Sequence, residues 1–336
     1  MERYAADLHR ALAARVPVRL LANRHGRRGL PLFLPRVVGH LLRHPRRYRH
    51  VHFADAALAP LAVLARRVTG VPVTVTAHAL DVVYPHPLYQ ALVARALARV
   101  DGVVAVSRFT RDACVERGVS PTRCRVIPNG IHCSSLADAA GAPGTGGDLP
   151  AGLAGRRVLV SIGRLIRRKG TAWFVAEVLP RLDSTTVYLV GGEGPERPAI
   201  ERAAAAAGVT GRVVLLGRID EVRKRALLAR ADLAVMPNIA VPGDAEGFGI
   251  AVIEATARGV PVIASDLEGV RDAVLDGVTG RLVAERDAAA WVRAIDAARF
   301  DRDAVARATR EHFDWVRLAD AYLEFFAQLA APEAAR

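Results

Sequence analysis

The strongest constraint on the fold is an alternation of short apolar runs with longer amphipathic stretches. Runs rich in valine, leucine and isoleucine recur at Val16–Ala22, Val51–Phe53, Val71–Thr76, Gly102–Val106, Arg125–Pro128, Val158–Ile162, Thr186–Val190, Val213–Leu216, Leu233–Met236 and Val260–Ala264. Apolar residues at helical spacing fill the stretches between them, as at Tyr89–Arg99, Pro195–Ala207, Glu221–Arg230 and Ile250–Arg258. Nearly continuous apolar strands that alternate with helices are typical of parallel sheets buried on both faces. The pattern therefore predicts α/β architecture.

The length and one irregular stretch predict two domains. The chain has 336 residues, which suits two domains of roughly 150 residues each. Residues 134–155 are mostly Gly, Ala, Ser and Pro without periodicity, which is typical of a linker. We predict a first domain over 1–133, a second over 156–312 and a closing helix over 313–336. Two doubly wound domains joined in this way face a cleft at the carboxyl ends of their strands, where ligands bind.

Composition excludes several other classes of protein. With 51% hydrophobic residues, the chain is neither collagenous nor mostly disordered. Cys114, Cys124 and Cys133 form no CxxC pair, which favours reduced thiols in the cytosol over disulfides or a zinc site. No apolar run approaches the roughly 20 residues that span a bilayer, and the N-terminus has the pattern of an amphipathic helix rather than of a signal peptide. We expect a cytoplasmic protein.

The positive charge is concentrated in the first half of the chain. Residues 1–150 carry 21 basic and 9 acidic side chains, whereas residues 151–336 carry 26 and 25. Within residues 24–50, a basic segment places apolar residues on one predicted helical face, namely Leu34, Val37, Val38, Leu41 and Leu42. Such a segment suits the anionic inner face of the cell membrane, and a core-packing helix with a solvated basic side is the alternative. No stacking aromatic series accompanies the arginines, so we expect no nucleic-acid binding.

Two cations follow the first strand of the second predicted domain. The segment VLVSIGRLIRRKG ends a strand at Gly163, supplies Arg164 and Lys169, and starts a helix near Gly170. Cationic side chains beside the first turn of a helix are typical of an anion site. A diphosphate fits this arrangement better than a single carboxylate does, and a solvated basic turn is the alternative.

A second segment, DAEGFGIAVIE, places two glutamates eight residues apart. Glu246 precedes a turn of small residues, and Glu254 lies in the following helix, where it suits the two hydroxyls of a ribose. Eight helical residues span about 12 Å, which exceeds the roughly 5–9.5 Å between the carboxylates of a glycoside hydrolase. The spacing therefore predicts two separate readers of hydroxyl groups. A capping glutamate followed by an exposed one is the alternative.

Taken together, these segments resemble a known family in their order and spacing. Further matching segments are VDGVVAVSRFTRD at 100–112, VIPNGI at 126–131, GGEGPER at 191–197, LLGRI at 215–219, RGVPVIAS at 258–265 and DGVTGRLV at 276–283. The set is similar to the retaining glycosyltransferases of family 4, which have the GT-B fold of two Rossmann-like domains facing a cleft. The resemblance implies transfer of a hexose-type sugar from a nucleotide diphosphate sugar, with retention, to a glycan, lipid-linked or small-molecule acceptor.

The resemblance also implies roles for residues of the second domain. Arg164 and Lys169 match the family's diphosphate-binding residues, and Glu254 matches its ribose-binding glutamate. Backbone contacts to the donor are implied for the turn between the two glutamates, Gly247, Phe248, Gly249 and Ile250. The nucleotide base is implied to lie near Arg218 and Ile219.

The reaction centre is implied to involve His78 and Glu246. His78 lies in TAHALD, which resembles the family's active-site histidine segment, and Glu246 matches the glutamate that reads sugar hydroxyls. The family generally uses neither a divalent metal nor another cofactor, and front-face attack through an oxocarbenium-like state is implied. The sequence Asp301-Arg302-Asp303 resembles a metal-binding DxD, but its position at a helix start favours capping.

One departure from the family leaves alternative functions open. The family opens with a strand and a glycine-rich loop, whereas here Met1 leads straight into a predicted helix. We therefore expect the first strand of the N-terminal domain to be missing. A nucleotide-sugar epimerase of the same fold, or a degenerate nucleotide-binding protein, is the alternative. Lipopolysaccharide, capsule polysaccharide and phospholipid glycosides all remain candidate acceptors, as do uracil, guanine and adenine for the donor base.

Overall fold

The chain forms two compact α/β units. A computed structural model describes residues 2–23, 26–133 and 149–330. The first unit comprises Met1–Asn129 together with Trp315–Arg336, and the second comprises Gly130–Asp314. Most of the predicted linker, residues 134–148, lies outside the described residues.

The first unit contains a parallel sheet of four described strands. They are β1 (Val51–Phe53), β2 (Val73–Ala77), β3 (Gly102–Ala105) and β4 (Cys124–Val126), in that spatial order. In β2, Thr74 pairs with His52 on one side and with Gly102 on the other. The described helices of this unit are α1 (Glu2–Ala13), α2 (Gly26–Arg43), α3 (Ala59–Thr69), α4 (Ala79–Val83), α5 (Pro87–Leu97) and α6 (Arg108–Glu116), with a further helix, numbered last, at the C-terminus.

Helices at the two ends of the chain pack together in the first unit. The C-terminal helix runs over Trp315–Ala330 and contacts α1. Tyr4 and Tyr322 are buried in their shared core, and their hydroxyl groups lie 2.5 Å apart. The Tyr4 hydroxyl also lies 2.8 Å from Oγ1 of Thr76 in β2. Two amphipathic helices are thereby joined to the sheet through buried polar groups as well as apolar contacts.

The second unit contains a six-stranded parallel sheet. Its strands are β5 (Arg157–Ile162), β6 (Thr186–Gly191), β7 (Val213–Leu215), β8 (Leu233–Met236), β9 (Val262–Ser265) and β10 (Gly280–Val283), in the spatial order β10-β9-β8-β5-β6-β7. Its helices are α7 (Thr171–Trp173, continued by a π-helical turn), α8 (Arg197–Ala206), α9 (Glu221–Arg230), α10 (Ile250–Thr256), α11 (Ala288–Ala297) and α12 (Arg302–Phe313). The C-terminal helix Trp315–Ala330 is accordingly α13.

The strand order of this sheet reverses at β5. Successive strands β5, β6 and β7 extend to one side, and β8, β9 and β10 extend to the other. In an open parallel sheet, such a reversal leaves a crevice outside the carboxyl ends of the two central strands. The loops after β5 and β8 are therefore the places where this unit can hold a ligand.

Two sequence-based expectations about strands are wrong. The run Val16–Ala22 was predicted as a strand, but residues 17–23 adopt no regular secondary structure, and Val16, Val18 and Leu20 are exposed. A β-branched run becomes a strand only where a neighbouring strand accepts its backbone hydrogen bonds, and propensity alone does not report this. Conversely, β10 was not predicted, because its sequence GRLV is short and begins with glycine. The absence of a first strand from the N-terminal domain stays a prediction.

The basic segment within residues 24–50 forms helix α2. Val37 and Leu41 of its predicted apolar face are buried in the core of the first unit. Leu34 and Leu42 of the same face are 37% and 59% exposed. The helix is therefore partly a core element and partly an exposed apolar surface, and its contact with a membrane stays a prediction.

Candidate functional site

Backbone contacts hold the loops after β5 and β8 together. The amide of Ile239 donates a 2.9 Å hydrogen bond to the carbonyl of Arg168. Gly170 has φ +64°, and a Cβ at this position would lie 1.7 Å from the carbonyl oxygen of Pro237. Only glycine allows both this left-handed conformation and so close an approach. The segment with the predicted anion-binding residues is thus fixed beside the switch point of the sheet.

A cluster of opposite charges lies between these loops. Lys169 Nζ lies 2.5 Å from Glu246 Oε2. Arg168, whose side chain is 10% exposed, pairs with Asp244 and approaches the same Glu246 oxygen with its Nε at 3.4 Å. Asn238 Nδ2 donates to that oxygen as well, also at 3.4 Å. Two predicted site residues, Lys169 and Glu246, are therefore brought into direct contact.

Glu246 is held through its backbone in addition to its side chain. Its amide donates a 2.5 Å hydrogen bond to Glu268 Oε2, and its carbonyl accepts one of 3.1 Å from Gly269. Burial on its own would raise the pKa of Glu246, but the charges and hydrogen bonds of Lys169 and then Arg168 outweigh it and lower the pKa. The carboxylate is therefore ionised at neutral pH and fixed in position.

Glu254 lies in a second ion pair in the same unit. Its Oε1 is 3.0 Å from Nζ of Lys224, a buried lysine on α9 that also contacts Glu221 at 2.8 Å. The Glu254 side chain is 12% exposed. The two glutamates of the predicted motif thus pair with different lysines, which agrees with separate roles.

The remaining predicted site residues of this unit differ in exposure. Arg164 is exposed, and it forms no ion pair with the described residues. Arg218 is also exposed, whereas the Ile219 side chain lies against Gly191 at the end of β6. Arg164 is therefore a cation available to a ligand at the carboxyl edge of the sheet.

The turn between the two glutamates offers backbone rather than side-chain contacts. Phe248 is 2% exposed, and its ring packs at a centroid distance of 5.8 Å against that of Phe313. Gly249, with φ +93°, precedes α10, and Ile250 is 41% exposed. Because Phe248 is a core side chain, this residue and Gly247 can meet a ligand only through their main chain.

His78 lies in the first unit, directly after β2. Its ring makes an edge contact with Tyr4 at a centroid distance of 4.7 Å. Its Nε2 is buried and has no hydrogen-bond partner among the described residues. Burial lowers the pKa of His78 to about 4. The imidazole is therefore neutral near pH 7, with one ring nitrogen available to a hydroxyl group.

Comparison with known proteins identifies the family. Two family models match, Glycosyltransferase Family 4 over residues 1–135 and Glycosyl transferases group 1 over residues 156–299. The glycogen synthase of Mycobacterium tuberculosis (strain H37Rv) is 30% identical over 295 residues, which cover 82% of this chain and 68% of that protein. The chain belongs to glycosyltransferase family 4. The family inferred from the sequence motifs is thus confirmed.

Other members and solved structures agree with this assignment. The GDP-mannose-dependent alpha-(1-6)-phosphatidylinositol monomannoside mannosyltransferase of Mycolicibacterium smegmatis is 32% identical over 248 residues, covering 72% of this chain and 64% of that protein. HepE of Anabaena, solved in complex with UDP, has a TM-score of 0.71 at 18% identity and covers 93% of this chain and 86% of its own. Sucrose-phosphate synthase from Thermosynechococcus elongatus also has a TM-score of 0.71, at 23% identity, covering 97% and 92%. The family 4 glycosyltransferase described here therefore has the GT-B fold, as predicted.

Four residues of the glycosyltransferase site were missed by sequence reasoning. They are the ones that hold Glu246 in place or neutralise its neighbours, namely Arg168, Asn238, Asp244 and Glu268. The sequence contained a signal for Arg168 alone, because this arginine immediately precedes the predicted site residue Lys169. Glu268 gives a signal only in the structure, where it adopts a strained φ of +47°.

The described residues offer neither a membrane-spanning helix nor a cluster of metal ligands. Within the described ranges, none of the helices has the length and apolar character to cross a bilayer. The same ranges contain no group of three or more histidine, cysteine, aspartate or glutamate side chains that could hold a metal ion. The DxD-like sequence caps a helix, because Asp301 accepts hydrogen bonds from the amides of Asp303 and Ala304 at 2.9 and 3.3 Å.

Proposed function

We propose that this glycosyltransferase moves a hexose-type sugar from a nucleotide diphosphate sugar to an acceptor with retention of anomeric configuration. The observation that carries the proposal is the placement of Arg164 and Lys169 in the loop after β5, beside the switch point of the sheet. Parallel sheets bind nucleotides at such places. Similar proteins support the donor class, since HepE was solved with UDP-glucose and a mycobacterial relative is named as GDP-mannose-dependent.

In the proposed complex, the cations stabilise the leaving group. The diphosphate gains negative charge as the glycosidic C–O bond breaks, and Arg164 and Lys169 supply fixed positive charge beside it. One preorganised donor of this kind is worth about 3–4 kcal/mol of transition-state stabilisation. Glu254 accepts the ribose hydroxyls, and Ile219 together with Arg218 lies near the base.

Glu246 and His78 are each proposed to bind a sugar hydroxyl, as the resemblance to the family implies. The ionised carboxylate of Glu246 accepts hydrogen bonds from sugar hydroxyls, and the neutral ring of His78 exchanges one through Nε2. Glu246 is ionised and has no proton to donate, and a neutral imidazole is too weak an acid to protonate a leaving phosphate, so the two groups suit a reaction driven by charge stabilisation. Retention is tested by the anomeric proton coupling of the product in NMR spectra. Turnover is proposed to need no divalent metal, so excess EDTA should leave the rate unchanged.

Thermal shift with UDP, GDP, ADP and dTDP tests the donor site. A ligand at 100 times its dissociation constant adds about 2.7 kcal/mol of stability. We expect one nucleotide to stabilise the parent and to lose this effect in Lys169→Ala. Arg197→Ala is the matched control, because Arg197 is an exposed cation of the same unit that pairs only along its own helix, with Glu201 at 2.9 Å. No stabilisation of the parent by any nucleotide would contradict the proposal.

We further propose that the acceptor is lipid-linked and is met at an anionic membrane surface. Leu32 and Leu42 of α2 are 81% and 59% exposed, and the same stretch of the chain carries exposed arginines at 36, 43, 46, 47 and 49. Exposed leucines among cations suit insertion between anionic lipid headgroups. Sedimentation with anionic but not neutral vesicles is expected, and Leu32→Ser with Leu42→Ser should weaken it. Equal failure to bind both vesicle types would contradict this part of the proposal.

A further inference from the structure

Two neighbouring cations contact one oxygen of Glu246. Lys169 Nζ and Arg168 Nε both approach Oε2, at 2.5 and 3.4 Å. The side-chain amide of Asn238 donates to the same atom through Nδ2, at 3.4 Å. Among the described residues, no hydrogen bond reaches Oε1. The carboxylate is therefore anchored at one oxygen, and its other oxygen is left for a ligand hydroxyl.

Lys169 cannot give its full charge to a phosphate and to this carboxylate at once. A diphosphate bound beside it competes with Glu246 for the same ammonium group and adds negative charge next to the carboxylate. Both effects favour protonation of Glu246 or its displacement. A protonated or displaced carboxyl group would no longer accept a hydrogen bond from the sugar in the same geometry.

Arg168 is fixed where it can counter these effects. Its guanidinium group pairs with Asp244 and its side chain is only 10% exposed. Its carbonyl accepts the 2.9 Å hydrogen bond from Ile239, which holds the backbone against the loop after β8. Arg168 is thereby held at Glu246, whereas the flexible stem of Lys169 can turn toward a ligand.

We propose that Arg168 is a positioning residue that keeps Glu246 ionised and in place when the donor diphosphate draws Lys169 away. The inference rests on the proposed function and adds to it a residue to which the resemblance assigns no role. The arginine acts on the reaction through Glu246 and does not itself touch the donor.

Among the described residues, the charged groups that contact Glu246 or its partners are Lys169, Arg168, Asp244 and Glu268. Lys169 and Arg168 favour its ionised form from the loop after β5. Asp244, in its own loop, is neutralised by Arg168. Glu268 accepts a hydrogen bond from the Glu246 amide, and burial, followed by the Glu246 charge, raises the pKa of Glu268. Removal of Arg168 thus leaves three carboxylates with Lys169 as their only described counter-charge within the cluster.

The pH dependence of turnover tests the proposal in the full-length chain. The substrate is a sugar ester of the nucleoside diphosphate that stabilises the parent. The same nucleoside diphosphate, without the sugar, is the probe for binding by calorimetry. In Arg168→Gln we expect the acidic limb of the kcat profile to move up by about one pH unit, so that at pH values below both limbs kcat falls about tenfold more than it does at pH 9. The dissociation constant of the nucleoside diphosphate should be higher in Arg168→Gln than in the parent, because Lys169 then has to leave Glu246 without a second cation at Oε2.

Two further variants separate positioning from folding and from the loss of a partner for Asp244. Arg168→Lys restores a cation and should return most of the acidic limb. Arg168→Gln combined with Asp244→Asn restores the net charge of the cluster but not the cation at Oε2, and its profile should stay shifted. An equal fall in kcat at every pH, or a parent-like profile in the double variant, would overturn the proposal.

The outcomes also distinguish this inference from the proposed function. If the parent neither binds a nucleoside diphosphate nor transfers sugar, both fail. If the parent does both and Arg168→Gln keeps the parent profile, only the role of Arg168 fails.

Discussion

A single buried histidine, His52, makes a pH-dependent contribution to stability that one substitution can isolate. Its ring lies between two threonines of β2, with Nδ1 2.8 Å from Thr74 Oγ1 and Nε2 3.0 Å from Thr76 Oγ1. Burial, with smaller contributions from His50 and His78, lowers the pKa of His52 to about 3. The ring is therefore neutral in the folded chain at pH values where it takes up a proton once unfolded.

The size of the effect follows from the two pKa values. The unfolded value is about 6.5 and the folded value about 3, so the unfolded chain binds more protons between them. The contribution of His52 is therefore complete above pH 6.5 and is lost as the pH falls toward 3. Between pH 7 and pH 5, this loss amounts to about 2 kcal/mol of unfolding free energy.

The variant His52→Gln removes this linkage and keeps a polar side chain between the threonines. At pH 7 the variant should be less stable than the parent by about 1–3 kcal/mol, because buried hydrogen bonds are disturbed. The difference between parent and variant should then shrink by about 2 kcal/mol at pH 5. Urea titrations at both pH values, read by pulsed hydrogen exchange of the peptide that contains β2, measure it in the first unit alone.

The difference in unfolding free energy between parent and His52→Gln cancels the contributions of the other titrating groups. Burial lowers the pKa of His50 to about 4 and raises that of Asp81 to about 7, and these two effects on stability have opposite signs as the pH falls. Both are present in parent and variant. His312→Gln, an exposed histidine in the second unit, is the control and should leave the difference constant. A parent-to-variant difference that is the same at pH 7 and pH 5 would refute the reasoning.

Two further substitutions test the geometry of the second unit. Gly170→Ala should destabilise it by more than about 3 kcal/mol, because the new Cβ would overlap the Pro237 carbonyl oxygen. Gly208→Ala is its control: Gly208 has a similar φ of +66° but no atom within 4 Å of a Cβ, and the substitution should cost only about 1 kcal/mol. Urea denaturation of the two variants gives the comparison, and equal losses would contradict it. Asp301→Ala should lower the unfolding free energy by about 1 kcal/mol through loss of a helix cap, without altering nucleotide binding or the response to EDTA. Loss of nucleotide affinity in this variant would count against the capping role.

The second unit was predictable from sequence because its strands are buried on both faces. A strand between two layers of helices must be apolar along its whole length, so an apolar run such as Leu233–Met236 can be recognised as a strand from the sequence. The loops that follow these strands then meet at one edge by topology. The topology therefore explains why Lys169 and Glu246, which the family resemblance assigns to one donor site, are in direct contact.

The first unit was less predictable because its contacts join distant parts of the chain. Tyr4 and Tyr322 share a hydrogen bond although more than 300 residues separate them in the chain, and no local sequence pattern predicts such a pairing. Likewise, Val16–Ala22 has the composition of a strand, but the described sheet begins at β1 and does not include it. Periodicity indicates which face of a segment is apolar and leaves undetermined which partner covers it.

The three cations of the segment GRLIRRKG show why residue type alone does not assign a role. Arg168 pairs with Asp244 and Glu246, Lys169 pairs with Glu246, and Arg164 is exposed with no described carboxylate partner. Two cations face three carboxylates in this cluster, so in the proposed complex the charge that attracts a diphosphate comes first from Arg164. Lys169 can join it only to the extent that Arg168 takes over the charge of Glu246. Affinity for the donor and ionisation of the carboxylate are thus linked through adjacent residues, and this linkage follows from burial rather than from spacing in the sequence.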